Sequence, residues 1–382
     1  MIVFSFWMSL LVMLYVYSGY LFVLKLICYL FPSAKREVKF FRSEELPSIT
    51  VMVTAFNEDV VIKSRIDNIL ESDYPDGKIK ILIVSDGSTD QTDNIVNSYG
   101  DDRVSLFRVE DRKGKTNAQN QAMEKISNDF VVFTDADSRF DPFCLKNLVG
   151  YFIDEKVGVV AGKLIFEEVV GSGISHSQGY YWSYELKLRE LESELGSLAI
   201  ISGGCFAIRK NCFRKMDISY GDDCIIPLNA VRDGFDVVHA KKAVTYDYIA
   251  HEANQEFKAR VRMTLRNWQC TWAFKDILNP ILNPRYAFAL WSHKILRWLS
   301  PVFLIILTLC NLMLISDGVV YAISAVLLFV FYCLGFVGYL GNAWSKNVPG
   351  STTVFSFLLA NVGFFFGILE AIKGKKITVY RN

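Results

Sequence analysis

The sequence carries almost no net charge, because 41 Lys and Arg side chains stand against 40 Asp and Glu side chains. That balance argues against a broad nucleic-acid-binding surface, which needs an excess of basic residues. Paired metal spacings such as Cys-x-x-Cys are also absent, and the eight cysteines lie scattered in apolar runs. We therefore expect them to be small buried side chains in a reducing compartment. The sequence contains no internal repeat and no low-complexity segment.

Apolar residues make up 52% of the 382-residue chain and are unevenly placed. Ile2–Leu24 is almost wholly apolar and about long enough to cross a bilayer, which takes roughly 20 residues. A cleaved signal peptide begins with basic residues, whereas here they follow the apolar run, at Lys35, Arg36, Lys39 and Arg42. This order predicts an uncleaved anchor whose start lies outside and whose following domain lies in the cytoplasm.

Three more apolar runs follow the central part of the chain, at Pro301–Ser316, Val319–Leu340 and Thr352–Ile372. The preceding segment 285–299 contains basic residues and is short for a span, so we interpret it as an interfacial helix. Together these runs predict a multi-pass protein of the cell (plasma or inner) membrane.

The orientation of the C-terminal tail is in conflict with this span count. Three spans after a cytoplasmic domain place the tail outside, whereas its basic residues favour the inside; these are Lys373, Lys375, Lys376 and Arg381. Either one apolar run is re-entrant, or the 285–299 segment contributes to a span.

Between the anchor and Pro284, short apolar runs alternate with helical stretches, which is typical of a parallel α/β sheet. Strands are predicted at 48–54, 79–84, 104–109, 131–134 and 157–166, and helices at 59–70, 116–126 and 177–195. The predicted organisation is an anchor over 1–31, a cytoplasmic α/β domain over 32–284, the interfacial helix over 285–299 and a transmembrane region over 300–382.

Polar side chains follow several of the predicted strands. The fourth strand ends in Asp135-Ala136-Asp137, and two carboxylates one residue apart can approach a divalent metal and its phosphate ligands. Asn57 and Glu58 follow the first strand, Asp86-Gly87-Ser88 follows the second, and Lys113-Gly114-Lys115 precedes the helix after the third. Polar groups gathered at one edge of a sheet are where a nucleotide binds.

Each of these motifs, taken singly, has a structural alternative. The aspartate pair fits an acidic loop before a helix near Pro142, and Asn57 or Asp86 fits a helix cap. Ser88–Gln91 fits a capping box, and the two lysines fit a solvated loop. Their joint occurrence at successive strand ends favours function.

The second half of the domain adds two further patterns. Ser202-Gly203-Gly204 allows close backbone approach to a ligand or forms an ordinary turn. Asp222-Asp223 opens a predicted helix, where a carboxylate either takes a proton from an attacking hydroxyl or stabilises the first helical turn.

The 256–274 helix places Arg262 and Arg266 beside Trp268 and Trp272. Such a set suits a diphosphate next to a sugar ring, or alternatively a basic helix near anionic lipid headgroups.

The ordered set of motifs resembles the membrane-embedded family 2 glycosyltransferases, a group with the cellulose, chitin and hyaluronan synthases and bacterial exopolysaccharide transferases. The resemblance covers roughly 48–275 and rests on Asn57-Glu58, Asp86-Gly87-Ser88, Gly114-Lys115-x-x-Ala118-x-Asn120, Asp135-x-Asp137, Ser202-Gly203-Gly204 and Asp222-Asp223. It implies an α/β domain of the GT-A type, with a mostly parallel sheet, inserted between transmembrane helices.

The resemblance also implies roles for individual residues. Asp223 takes the place of the general base, and Asp135 with Asp137 holds the diphosphate through Mg²⁺ or Mn²⁺. The nucleotide-sugar site is implied at Ala55, Asn57, Glu58, Asp86, Lys115, Asn120 and Asp135. The acceptor and diphosphate side is implied at Gly203, Gly204, Asp222, Arg262, Arg266 and Trp268.

The expected function is inverting, metal-dependent transfer of a sugar from a nucleotide sugar, expected to be a UDP-sugar, to a growing polysaccharide or lipid-linked glycan. The polymerising synthases carry Gln-x-x-Arg-Trp near the membrane, whereas alignment on Trp268 places Thr264 and Asn267 at those positions. A single sugar addition to a membrane lipid is therefore the alternative. A non-catalytic nucleotide-binding membrane subunit is a third hypothesis. The acidic residues of all three motifs are intact, which argues against it.

Overall fold

The computed structural model describes residues 1–31, 43–167, 173–248, 253–343, 348 and 350–379. Four basic residues used to predict the orientation of the anchor, Lys35, Arg36, Lys39 and Arg42, lie outside this part of the chain, as does Arg381 of the tail.

The central domain is built on a mixed β-sheet that is parallel over four strands. Across the described residues the sheet has eight strands in the order β3-β2-β1-β4-β7-β6-β8-β5. Strand β7 runs antiparallel to both of its neighbours, β4 and β6. The strands are β1 Ile49–Ala55, β2 Ile79–Asp86, β3 Val104–Val109, β4 Phe130–Asp135, β5 Arg139–Phe140, β6 Val157–Glu167, β7 Cys205–Arg209 and β8 Asp236–Tyr248. The list of predicted strands lacks β5, β7 and β8.

The inner strands are apolar on both faces because helices cover both sides of the sheet. Along β1, Val51 and Val53 pack into one buried cluster and Met52 into the other, and all three are at most 1% exposed. Full burial of such a side chain stabilises the fold by about 1.5–3 kcal/mol. The parallel register pairs Thr54 with Asp135 and Ala55 with Ser85, which brings the polar segments that follow these strands to one edge of the sheet.

The helices mostly begin and end within a few residues of the predicted ones. They are α1 Ile2–Leu14, α2 Tyr20–Leu30, α3 Ile62–Leu70, α4 Thr92–Asn97, α5 Lys115–Met123, α6 Cys144–Val149, α7 Gly173–Glu194, α8 Asp222–Arg232, α9 Ala253–Ala273, α10 Pro284–Ala289, α11 Leu296–Trp298, α12 Ser300–Leu314, α13 Val319–Ala343 and α14 Ser351–Ile372.

The Ser88–Gln91 capping box is wrong. Helix α4 begins at Thr92, and Asp90 Oδ1 accepts from the Thr92 N–H at 3.0 Å. The Ser88 hydroxyl instead accepts from the backbone N–H of Asn57 at 3.2 Å.

Three helical stretches in the described residues are long and apolar enough to cross a membrane: Ile2–Leu30, Val319–Asn342 and Ser351–Ile372. A fourth candidate is the bent pair Pro284–Trp298 and Ser300–Leu314, whose two parts meet at 57°. The two parts of the anchor, α1 and α2, are joined by a π-helical turn over Tyr15–Gly19.

The C-terminal tail lies on the same side of the membrane region as the sheet edge. Val379 lines the same cavity as Asp86 and Asp135, and Gln269 of α9 donates to the carbonyl of Lys375 at 2.9 Å.

The second half of α14 docks on the domain helix α9, where a Cβ on Gly363 would lie 2.9 Å from the Arg260 side chain. Helix α14 is therefore apolar enough to cross a membrane and also packs against the domain.

A buried ion cluster joins the membrane helices to the domain. Glu185 of α7 is 1% exposed, and four basic side chains surround it. These are Arg189 at 3.1 Å, His293 at 2.8 Å, Lys294 at 2.9 Å and Arg297 at 2.8 Å. Burial alone raises the pKa of Glu185, but the surrounding positive charges outweigh it and hold that pKa well below its usual value.

The neighbouring Glu192 accepts from His293 Nδ1 at 2.7 Å and from the Tyr20 hydroxyl of the anchor at 2.8 Å. The α7 carboxylates thus hold the anchor and the α10–α12 region against the domain.

We expect Glu185→Gln to lower the free energy of unfolding by about 3–5 kcal/mol, because it leaves several buried cations without their shared carboxylate. Thermal unfolding of the detergent-purified protein measures this change. Glu190→Gln on the same helix is the matched control, since Glu190 pairs with the half-exposed Lys187 at 3.5 Å. Equal losses in the two variants would contradict the role given to the cluster.

Candidate active site

A cavity of about 350 Å³ opens at the carboxyl edge of the parallel strands. Its wall combines the segments that follow β1, β2 and β4 with the start of α5. The lining residues are Thr54, Ala55, Phe56, Glu58, Asp86, Arg112, Gly114, Lys115, Asp135, Ala136, Asp137, Asp247, Arg262 and Val379. The cavity thus contains five of the seven residues predicted for the nucleotide-sugar site, together with Asp137.

Acidic groups dominate one wall of this cavity. Burial raises the pKa of Asp137, and the neighbouring Asp135 carboxylate raises it further. The pKa of Glu58 is raised to about 7 by burial first and then by Asp137 and Asp135. Carboxyl groups held this close favour a bound cation, because it relieves their mutual repulsion.

Asp86 supports the loop that leads into α5. Its two oxygens accept from the backbone N–H groups of Lys113 at 3.2 Å and Gly114 at 2.9 Å. Gly114 has φ +96, a left-handed conformation that glycine adopts readily. Asp86 is 4% exposed yet lines the cavity, so it shapes the place where a nucleotide would lie and does not cap α4.

Lys115 links this cavity to a second, smaller one. Its Nζ lies 2.6 Å from Asp135 Oδ1 and 3.1 Å from Asp222 Oδ2. The smaller cavity, of about 120 Å³, is lined by Lys115, Gly203, Gly221, Asp222, Asp223, Arg262, Met263, Arg266 and Asn267. Lys115 and Arg262 line both cavities, so the two form one continuous site.

The adjacent carboxyls Asp222 and Asp223 have opposite electrostatic environments. Asp222 is buried, which alone raises its pKa, but Lys115 and the Gln119 amide, which donates at 2.7 Å, bring that pKa below its usual value. The pKa of Asp223 is raised to about 6, by burial and then by the charge of Asp222. A carboxyl titrating near neutrality inside a cavity is suited to accept a proton.

The glycines and arginines predicted for the acceptor side have distinct positions. A Cβ on Gly203 would lie 3.7 Å from Asp222 Oδ1, which confirms that backbone and carboxylate are close there. Arg266 is 4% exposed and donates to the carbonyls of Ser219 and Tyr220 and to the Thr116 hydroxyl. Arg266 therefore holds the loop before α8, while Arg262 faces both cavities.

Four predicted site residues, Asn57, Gly204, Asn120 and Trp268, do not line either cavity. A Cβ on Gly204 would lie 3.5 Å from the Ser138 hydroxyl. Asn57 has φ +57 and accepts from the Thr89 N–H at 2.8 Å, which fixes the loop after β2. Asn120 exchanges two hydrogen bonds of 2.9 Å with the backbone of Met216, so its amide is used inside the domain. Trp268 packs against Trp272 and Trp298 in an aromatic cluster. The Asn120 and Trp268 predictions are corrected on this ground.

The sequence prediction missed several cavity residues. Arg112 lies 3.4 Å above the Phe56 ring, and Asp247 comes from β8, a strand that was not predicted. The tail supplies Val379, and a Cβ on Gly114 would overlap the carbonyl oxygen of Thr378. The alternating apolar residues of 236–248 are a signal for β8, but no local pattern places the tail here.

Comparison with known proteins agrees with this geometry. Residues 50–217 match Glycosyl transferase family 2. The chain carries a family 2 glycosyltransferase domain. That domain spans β1 to β7 and includes Glu58, Asp86, Asp135 and Asp137 of the larger cavity.

Curated relatives share the domain over part of their length. The chain is 25% identical over 226 residues to the probable glycosyltransferase YdaM of Bacillus subtilis, covering 53% of this chain and 51% of YdaM. It is 24% identical over 260 residues to an N-acetylglucosaminyltransferase of Rhizobium meliloti, covering 64% and 61%. The chain thus spans between about half and three fifths of these relatives.

A solved structure shares the fold over almost the whole chain. The mannosyltransferase PcManGT from Pyrobaculum calidifontis, in complex with GDP-Man and Mn²⁺, superposes with a TM-score of 0.75 at 19% identity. The match covers 97% of this chain and 100% of that one. The GT-A-like fold with apolar helices at both ends of the domain is therefore confirmed.

We expect Gly114→Ala to weaken nucleotide binding about tenfold, equivalent to about 1.4 kcal/mol, because its side chain strains the left-handed backbone and collides with the tail. Titration calorimetry with a nucleoside diphosphate measures the affinity. Gly100→Ala is the matched control, since Gly100 has φ +64 but no atom within 4 Å of a built Cβ. An unchanged affinity in Gly114→Ala would show that the Asp86 loop does not shape the nucleotide site.

Proposed function

We propose that the protein transfers a sugar, with inversion at the anomeric carbon, from a nucleotide sugar to a hydroxyl of a polysaccharide or lipid-linked glycan. The proposed donor is a UDP-sugar, the donor implied by the resemblance of the sequence. The donor lies in the larger cavity and the acceptor hydroxyl in the smaller one. The proposed place is the cell membrane, with the domain on the cytoplasmic side.

One observation carries this proposal: two adjoining cavities share Lys115 and Arg262, and each contains a different kind of acidic group. The larger has the Asp135 and Asp137 pair, and the smaller has Asp223 with its raised pKa. Donor and acceptor therefore approach from opposite sides of the shared side chains. A single displacement between them inverts the anomeric carbon.

The steps performed by the protein follow from these positions. Asp223 accepts the proton of the acceptor hydroxyl as its oxygen bonds to the anomeric carbon and the bond to the nucleotide diphosphate breaks. Arg262 faces both cavities and stabilises the negative charge that develops on the departing diphosphate. Asp222, paired with Lys115 and Gln119, stays ionised and keeps the pKa of Asp223 high.

The carboxylate pair fits a divalent cation that binds together with the donor. Among the described residues no group of three or more His, Cys, Asp or Glu side chains could hold a metal alone. Mg²⁺ commonly takes one or two carboxylates and completes its shell with substrate phosphates and water. Asp135 and Asp137 would hold Mg²⁺ or Mn²⁺, which would neutralise charge on the diphosphate.

A panel of UDP-sugars and GDP-sugars, scored for nucleotide release with membrane lipid present, tests the function and its pH dependence. We expect Asp223→Asn to lower turnover by about 10²–10⁴, and Asp233→Asn at the other end of α8 to leave it unchanged. Because the base must be ionised, kcat/KM should rise with pH to about 6 and then level off. Full turnover in Asp223→Asn would contradict the role of Asp223 as the base. The same fall in kcat/KM below about pH 6 in the variant as in the wild type would contradict it as well.

Metal binding provides a prediction that does not depend on turnover. Electron paramagnetic resonance of Mn²⁺ should show weak binding to the protein alone and much tighter binding when a nucleoside diphosphate is added, because the described residues contain no group of three or more side chains able to hold the ion. Asp137→Asn should weaken this ternary binding at least tenfold. Tight Mn²⁺ binding without nucleotide, or ternary binding that survives in Asp137→Asn, would contradict the assignment.

Single addition to a membrane lipid is the alternative function. It is favoured by the packing around α9, where Trp268 lies in an aromatic cluster away from both cavities and Thr264 is 1% exposed against α14. Radiolabelled product distinguishes the two: long chains support polymerisation, whereas one organic-extractable species supports single addition. Absence of any turnover across the panel would favour a non-catalytic membrane subunit.

A further inference from the structure

A third cavity, separate from the two cavities of the candidate active site, lies where the anchor meets α7, α9 and α14. Its volume is about 290 Å³. The wall is mostly aromatic and aliphatic, with Tyr17 and Phe357 supplied by apolar helices at the membrane. The lining residues are Tyr17, Tyr181, Tyr184, Glu256, Arg260, Arg297, Thr353, Ser356, Phe357, Leu359, Ala360, Asn361 and Phe364.

Arg297 lines this cavity and retains unused hydrogen-bonding capacity. Its side chain is 3% exposed, and Nη1 donates to Glu185 at 2.8 Å and to the Tyr181 hydroxyl at 3.1 Å. Its Nε and Nη2 have no partner in the described residues. Burying such donors unpaired is costly, especially on a charged group, so a ligand that accepts from them binds favourably.

Two further groups add to the polar end of the cavity. The buried Ser356 hydroxyl on α14 has no partner among the described residues. Arg260 pairs with Glu256 through its Nε at 3.0 Å, and its guanidinium lies within 6 Å of the Tyr181 and Phe364 rings. Two guanidinium groups and a free hydroxyl in an apolar wall are the features of an anion site.

The charges around the cavity favour a negative ligand. Glu256 is the carboxylate among the lining residues, and the guanidinium groups of Arg260 and Arg297 line the same cavity. The two cations of the lining thus outnumber its one carboxylate. The walls in turn favour a ligand whose charged end is attached to an apolar chain, since they belong to helices at the membrane.

We propose that this cavity binds the phosphate headgroup of a membrane lipid, with Arg297, Arg260 and Ser356 around the phosphate and the tyrosine and phenylalanine rings around the first part of the chain. The lipid is either a structural phospholipid or the acceptor. Arg260 lies about 9 Å along α9 from Arg266, at 1.5 Å per residue, so an acceptor sugar attached to a bound lipid phosphate could reach Asp223. The idea that the bound lipid is the acceptor rests on the proposed function, whereas the binding of a structural phospholipid does not.

The test follows the thermal unfolding midpoint of the full chain in detergent as dioctanoyl phosphatidic acid is added. A ligand that binds only the folded protein raises the midpoint in a saturable way. We expect this rise with phosphatidic acid, and neither with dioctanoylglycerol nor with inorganic phosphate at the same concentrations. An equal rise with dioctanoylglycerol would show an apolar cavity without a phosphate site. An equal rise with inorganic phosphate would show an anion site that needs no lipid.

Ser356→Leu fills the cavity without touching the ion cluster, and it should weaken phosphatidic acid binding at least tenfold. Val362→Leu is the matched control, because Val362 lies on the same helix and is 45% exposed. Arg297→Gln removes the cation and should also lose the rise, measured against its own midpoint without lipid. Wild-type saturation in Ser356→Leu would overturn the proposal.

The source of the lipid is read from the same protein after incubation with a labelled nucleotide sugar. Label on the lipid extracted from the purified protein identifies the acceptor, and unlabelled bound lipid identifies a structural phospholipid; either result supports the site. Asp223→Asn should keep the phosphatidic acid rise, so a failure of the catalytic proposal is distinguishable from a failure of this one. Loss of the rise in Asp223→Asn would contradict a site separate from the chemistry.

Discussion

The position of the catalytic domain relative to the membrane depends on the buried charges around Glu185. One carboxylate of α7 pairs with cations on its own helix and on the segment that leads into α12, and Glu192 ties the same segment to Tyr20 of the anchor. Buried ions are costly unless each has partners, so this arrangement tolerates little change in how the parts meet. The cavity beside Arg297 is a consequence: the cluster holds more cations than its carboxylates can fully pair.

Lys115 has the corresponding position inside the catalytic site. By contacting Asp135 and Asp222, Lys115 connects the larger cavity to the smaller one. It lowers the pKa of Asp222, whereas the pKa of Asp223 is raised. Under the proposed function, a cation that binds Asp135 together with a nucleotide would compete with Lys115 for that carboxylate. Donor binding can therefore alter the electrostatic environment of the base through one side chain, with no movement of the sheet.

The sequence predicts those parts of the site that follow from local pattern. The parallel strands and the polar residues after them were predictable, because register alone brings Ala55, Asp86 and Asp135 together. Asn120 and Trp268 belong to motifs like those of the family, but both side chains have structural partners. Asn120 hydrogen-bonds to the backbone of Met216, and Trp268 packs against two other tryptophans. Val379 enters the cavity from the far end of the chain, and no periodicity within the tail encodes that contact.

Helix α9 explains why the Gln-x-x-Arg-Trp motif is altered here. Thr264 occupies the position of the glutamine, and a Cβ on Gly367 of α14 would lie 2.6 Å from the Thr264 side chain. A glutamine at 264 has no room at this separation, so Thr264 and Gly367 together allow α14 to dock on α9. That docking closes the wall of the Arg297 cavity and delivers the tail to Gly114. The altered motif is thus tied to α14, which connects the Arg297 cavity to the larger cavity of the candidate active site.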